Sequence, residues 1–210
     1  MIKAVLSDFD GTIVTKDILD VVCGIVGKDK ESQAINQQFH SGESIGLNAL
    51  KTRINFLKGV DTDQIQKKIN ENYCLMPGAS ELFDFLNSKG IVSVLHSGNI
   101  IPILKTYQNI LGITHIVGTQ PQMNGGIIQG ISDDAFPSVN FKLHGVKKIL
   151  DSLSIKAEET IAIGDSPADK AVFDFARYSI AINPKGGIEK SATYTIKDDL
   201  AKAIPIIEGL

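Results

Sequence analysis

Short apolar runs recur along the 210-residue chain with helix-like patterns between them, and that alternation restricts the architecture more than any other feature. Residues 3–7, 91–95, 115–118, 160–163 and 179–182 read as strands apolar enough to be buried on both faces. Residues 80–88, 100–111, 143–153 and 168–176 carry the spacing of crossover helices. Strands joined by helices form βαβ units, so the expected class is α/β, with a doubly wound parallel sheet of Rossmann type. Such a sheet offers its ligand site at the carboxyl ends of the strands. The residues just after each run are therefore where chemistry is expected.

One stretch departs from the alternation. From Asp17 to about Met76 the pattern is helical, with Ile18, Val21, Val22 and Ile25 on one face, then Leu47, Leu50, Ile54 and Leu57, then Ile65, Ile69 and Tyr73. It begins after the first strand and ends at Pro77-Gly78. The expectation is a core made of residues 1–16 and 77–210, with a helical-bundle cap of residues 17–76 standing over the first strand's loop. Asn124-Gly125-Gly126 between apolar pairs predicts a hairpin turn, and residues 130–140 a polar loop.

Composition removes several functions. With 21 basic and 24 acidic residues, a net charge of −3 and the lysines scattered, no basic stripe exists to bind nucleic acid. No apolar run is long enough for a membrane span or a secretory leader. A chain this long buries roughly 70% of its unfolded surface, so Cys23 and Cys74 are not needed as a disulfide and read as buried thiols in a reducing cytoplasm. The expected partner is a small molecule.

Asp8 and Asp10 follow the first strand in Ser7-Asp8-Phe9-Asp10-Gly11-Thr12, and alternation points them to the same side. Paired carboxylates repel unless a cation or a shared proton relieves them, which favours a metal site or a divided acid and base role. A solvated acidic loop is the other reading. Gly164-Asp165-Ser166-Pro167-Ala168-Asp169 brings two more acids to a strand end; Asp165 is equally suited to be a helix N-cap. Four acids on one edge call for a hard cation held by oxygen, hence Mg²⁺. Ser97 and Gly98, between a strand and a helix, form either an anion site or a plain cap. Lys142 is either a counter-charge to that anion or solvated surface. His40, His96, His115 and His144 lack metal-ligand spacing, and His96 reads as packing.

In order, Asp8-Phe9-Asp10-Gly11-Thr12, Ser97, Lys142 and Gly164-Asp165 with Asp169 resemble the four motifs of the haloacid dehalogenase superfamily, over essentially the whole chain. Chain length, the helical cap and the spacing from Lys142 to Asp165 look most like its phosphoserine phosphatase branch, whose members serve L-serine biosynthesis. The resemblance implies a Mg²⁺-dependent phosphomonoester hydrolase with Asp8 as nucleophile and Asp10 as general acid and base. It implies phosphate binding by Ser97, Gly98 and Lys142. The metal would be held by Asp8, the Asp10 carbonyl and Asp165, with Asp169 as ligand or support. In the cap, Arg53 would take the substrate carboxylate and Asp17 its ammonium.

Four positions depart from the branch's pattern: Asp17 replaces glutamate, Gly46 a bulky apolar residue, Asn99 a glycine and Ala168 an asparagine. They leave other substrates open, a sugar or thiosugar phosphate among them. A non-catalytic phosphoserine-sensing module is the alternative from another class. The chain is expected to be a monomer or homodimer that takes a small phosphorylated metabolite.

Overall fold

The computed structural model describes residues 1–40, 46–132, 135 and 140–210, and the side chains of Phe39 and His40 and the surroundings of Gly46 lie outside that description, as does most of the expected polar loop at 130–140. Six strands form one parallel sheet: β1 (Ala4–Ser7), β2 (Val92–Ile100), β3 (His115–Thr119), β6 (Thr160–Gly164), β7 (Tyr178–Ile182) and β8 (Tyr194–Ile196), in the order β3-β2-β1-β6-β7-β8. Between them, β4 (Gln122–Asn124) and β5 (Ile127–Gly130) make a separate antiparallel hairpin. Its turn is Gly125-Gly126, both at positive φ, as the sequence leads one to expect.

Alternate strand residues feed two apolar layers, because successive side chains of a strand point to opposite faces. Val5, Leu95, Ile161 and Ile180 pack against α5 (Ala79–Ser88), α6 (Ile101–Leu111) and α9 (Ala203–Glu208). Ala4, Leu6, Val94 and Ala162 pack against α7 (Phe141–Ser152) and α8 (Lys170–Phe175). On this second face α7 runs unusually close to the sheet. A Cβ at Gly145 would stand 2.4 Å from Val117 Cγ1, so only glycine lets the helix, and Lys142 in its first turn, approach this far.

The helical stretch after β1 is α1 (Ile18–Cys23), α2 (Asp29–His40), α3 (Gly46–Phe56) and α4 (Thr62–Glu71). The chain leaves and re-enters the sheet layer along neighbouring paths, with Thr15 N–H donating to the Cys74 carbonyl and Met76 N–H to that of Ile13. These helices also lean on the hairpin through Gly59 N–H to the Ile128 carbonyl and Ile128 N–H to that of Val60.

Four readings of the sequence need correction. Tyr73 does not continue the buried face of α4: the helix stops at Glu71 and Tyr73 is 60% exposed. The β2 strand runs on through Ser97-Gly98-Asn99 to Ile100, past a break in its register with β3, so Ser97 does not cap α6. The β3 strand is not buried on both faces: it lies at the edge of the sheet, and His115–Gly118 are only half-buried. The edge strand β8 and helix α9, three and six residues long, are too short for a period to stand out in the sequence. Cys23 and Cys74 are buried free thiols, and no described helix is long and apolar enough to cross a membrane.

Candidate active site

The order of the strands decides where the site lies. β1 is central, with β2 on one side and β6 on the other, so the connections diverge between β1 and β6 and leave a crevice at their carboxyl ends. Asp8 and Asp165 follow those two strands. The strand ends are tied together by Asp8 N–H donating to the Ile163 carbonyl at 2.9 Å. Gly11 sits at φ +83°, and a Cβ there would lie 2.1 Å from Asp165 Oδ2. The Asp165 carboxylate therefore rests directly on the loop that carries Asp8 and Asp10.

Lys142 reaches across from α7 and donates to Asp8 Oδ1 at 2.7 Å, with Asp169 Oδ1 3.6 Å from the same ammonium. No described residue bonds the other Asp8 oxygen. Burial by itself would lower the Lys142 pKa, but the charges of Asp8 and Asp169 outweigh it and hold the ammonium firmly protonated. Asp169, fully buried, uses Oδ2 to accept from the N–H groups of Asp165 and Ser166, both at 3.2 Å. Ser166, not Asp165, caps the turn that follows, so the N-cap reading of Asp165 does not hold. Asp165 instead pairs with Lys185 Nζ at 2.8 Å. Lys185 lies in the loop after β7, which the sequence shows only as a turn.

Asp10 is held by two donors, the Ile18 N–H at 2.9 Å and Asn99 Nδ2 at 3.2 Å. Burial, reinforced by the charges of Asp17 and Asp8, raises its pKa well above the usual carboxylate range. Asp165 is raised as well, chiefly by burial, and Asp169 is pushed up to about 7 by burial and by Asp8. The donor set is all oxygen and its acids are strained by mutual repulsion, so a hard divalent cation fits here. Among the described residues, a ligating atom from each of Asp8, His96 and Asp169 also falls within 4.8 Å of the others. No pattern in the sequence points to His96 here; it has no ligand spacing, and only the register of β2 against β1 brings it beside Asp8. Burial and Lys142 drive its pKa down to about 3, so the ring is neutral.

Ser97 Oγ accepts from the Asn99 N–H at 3.0 Å, and the Gly98 carbonyl accepts from Thr119 Oγ1. A Cβ at Gly98 would come within 3.0 Å of Leu50 in α3, so this loop lies against the inserted helices. Arg53 of α3 is buried at 6% exposure and donates to Asp17 and Asp20 through Nη2, to Ser32 through Nε at 2.9 Å and to Asn36 through Nη1 at 3.4 Å. Asp17 also caps α1 and accepts from Asn36. The two residues expected at the substrate's far end thus meet one another. Ser32, Asn36 and Asp20, which complete their network, are polar positions on α1 and α2 that an apolar-pattern reading passes over.

Comparison with known proteins gives the family. The model of the haloacid dehalogenase-like hydrolase family matches residues 5–174. The chain belongs to that family. Among its relatives is a phosphoserine phosphatase of Campylobacter jejuni subsp. doylei, 27% identical over 99% of this chain and 100% of the relative. Another, from Methanocaldococcus jannaschii, is 25% identical over 98% of each chain. A solved structure described as a phospho-aspartyl intermediate analogue of phosphoserine phosphatase superposes with a TM-score of 0.83 at 24% identity, over 98% of each chain. Within the haloacid dehalogenase-like hydrolases this protein is phosphoserine phosphatase-like, a phosphomonoester hydrolase.

Proposed function

We propose that the protein hydrolyses O-phospho-L-serine with the help of Mg²⁺, through an aspartyl phosphate on Asp8. The observation that carries this reading is the Asp8 carboxylate itself: one oxygen is bonded to Lys142 at 2.7 Å and the other has no partner among the described residues. A carboxylate held in this way is oriented for attack while its free oxygen stays nucleophilic.

Asp10 is suited to proton transfer because burial and the neighbouring charges of Asp17 and Asp8 raise its pKa well above the usual carboxylate range, so it holds a proton more readily than an exposed acid. The Ile18 and Asn99 donors fix its direction. It would protonate the departing serine oxygen, then take a proton from the water that attacks the aspartyl phosphate. Ser97, whose Oγ accepts from Asn99 and keeps its own O–H to donate, and the Lys142 ammonium would hold phosphate oxygens, with Gly98 leaving room for them. Asp8, the Asp10 carbonyl and Asp165 would hold Mg²⁺, with Asp169 steadying Asp165; when bound, the ion neutralises the phosphoryl oxygens and Asp8 together. Lys185 would give up Asp165 to the ion, which its 67% side-chain exposure allows.

The segment 17–76 would serve as the cap, with residues 1–16 and 77–210 as the catalytic core. Asp17 and Arg53 both act electrostatically on Asp10, so they border the reacting end. A zwitterionic amino-acid end suits this pair, since its ammonium replaces the guanidinium on Asp17 while its carboxylate takes up the guanidinium. Relatives named phosphoserine phosphatase along the whole chain favour that substrate.

The test is kcat/KM over a panel of phosphorylated metabolites with Mg²⁺, in the wild type and in Asp8→Asn. Phosphoserine is expected to lead the panel, with turnover lost in Asp8→Asn and in EDTA. Wild-type turnover in Asp8→Asn would refute the covalent route, and a sugar or thiosugar phosphate leading the panel would refute the substrate.

A further inference from the structure

Two polar groups beneath the site have no match. His96 is fully buried and neither ring nitrogen has a hydrogen-bond partner; Asp169 Oδ1 is likewise shut off from solvent without a hydrogen bond. A buried donor or acceptor left unmatched costs about 1–3 kcal/mol. These two are of opposite polarity when Asp169 is ionised, for the neutral ring carries one N–H and an ionised carboxylate oxygen only accepts. A His96 nitrogen and an Asp169 oxygen lie within 4.8 Å, close enough to be joined by a small rotation or by one water.

The strand makes a histidine at this point conspicuous. Val94, two residues earlier on the same face, packs into the apolar layer with Ala4, Leu6 and Ala162, and an apolar residue at position 96 would extend that layer at no polar cost. Asp8 is the less suitable acceptor, because its Oδ1 already takes the Lys142 ammonium and its other oxygen is needed for attack. Asp169 divides its work differently. Its Oδ2 gathers the N–H groups of Asp165 and Ser166, while Oδ1 has only Lys142, at 3.6 Å.

We propose that His96 is a positioning residue whose ring N–H donates to Asp169 Oδ1, directly or through one water, and thereby fixes the carboxylate that shapes the Asp165 loop. Asp169 cannot rotate away without abandoning two backbone N–H groups, so His96 stiffens Asp165 without touching it. The inference rests on the metal-binding reading of that loop given above. It adds that the aim of the loop is set from below, by the neighbouring strand.

Two measurements on the full-length protein test it. In long-range ¹H–¹⁵N spectra of histidine-labelled wild type, His96 should show one fixed tautomer with a slowly exchanging N–H; averaged signals from two interconverting tautomers would overturn the proposal. In calorimetric titration with Mg²⁺ alone, His96→Val should bind about tenfold more weakly, the lower end of what support residues contribute, with its thermal midpoint held or raised. His96→Gln, which restores a donor, should return affinity to within about threefold of wild type. A lowered midpoint with unchanged Mg²⁺ affinity in His96→Val would mean a packing role only and would refute the inference. A wild type that binds no Mg²⁺ would sink the metal reading instead, and the tautomer measurement would still decide whether His96 and Asp169 are joined.

Discussion

Replacing Arg53 by methionine tests whether the inserted helices are braced by a buried charge network. Methionine keeps much of the volume, so a cavity does not dominate the result. The Arg53 side chain is 7% exposed and one of its partners, the Asp20 side chain, is 9% exposed. Removing one member of a buried ion pair leaves the other uncompensated, at about 3–5 kcal/mol. Asp17 adds little to this, since its side chain is 23% exposed and keeps its bonds from the Asp20 N–H and Asn36. At about 2–4 °C per kcal/mol for a chain of this size, the melting midpoint should fall by roughly 6–20 °C. Burial and the charge of Asp17 already raise the Asp20 pKa, so Asp20→Asn, which keeps an acceptor for Arg53 and Ser32, should cost only about 1 kcal/mol. The double variant should recover part of the Arg53→Met loss, with a coupling of about 0.5–3 kcal/mol. Urea unfolding of the three variants measures all of this. An Arg53→Met protein within 1 kcal/mol of wild type would refute the brace. Kinetics separate bracing from substrate recognition: if Arg53 also grips a carboxylate, KM should rise for phosphoserine and not for an aryl phosphate.

Three further outcomes follow from the geometry. Gly11→Ala should abolish tight Mg²⁺ binding, because the new Cβ would fall 2.1 Å from Asp165 Oδ2 at a φ of +83°; titration calorimetry with wild-type affinity would contradict the close approach. Because Asp169 sits near 7, pushed up by burial and by Asp8, a bound cation should favour its ionised form, so Mg²⁺ affinity should weaken as pH falls through 7, by up to about tenfold per unit for each proton displaced, and binding should release protons. Calorimetry in buffers of different ionisation enthalpy counts them, and a count of zero at pH 6 would be contrary to this reading. Lys142→Met should lower kcat/KM by at least about 10², since it removes the charge facing both Asp8 and a phosphate, and should destabilise the protein by about 3–5 kcal/mol by leaving Asp8 and Asp169 unpaired. Turnover near wild type would show that Lys142 only fills space.

The sequence by itself determined the class of fold and the residues of one sheet edge. Strands buried on both faces must be apolar throughout, so β1, β2, β6 and β7 announced themselves by composition, whereas β3 was found from its apolar run although it is a half-buried edge strand. Acids placed directly after such runs must emerge at the carboxyl edge, which made Asp8, Asp10, Asp165 and Asp169 legible. Tertiary structure decided everything that depends on register or on the approach of distant segments. Lys142 meets Asp8 across 134 positions of chain because Gly145 lets α7 close on β3. Asn99 meets Asp10 because β2 stays extended past Ser97. Arg53 and Asp17 face each other, and His96 lies under Asp169, for reasons no local pattern carries. Apolar periodicity reports which face of an element is buried, since burial is a property of single residues; the partner of a buried polar group is a property of two segments, fixed only when both are packed.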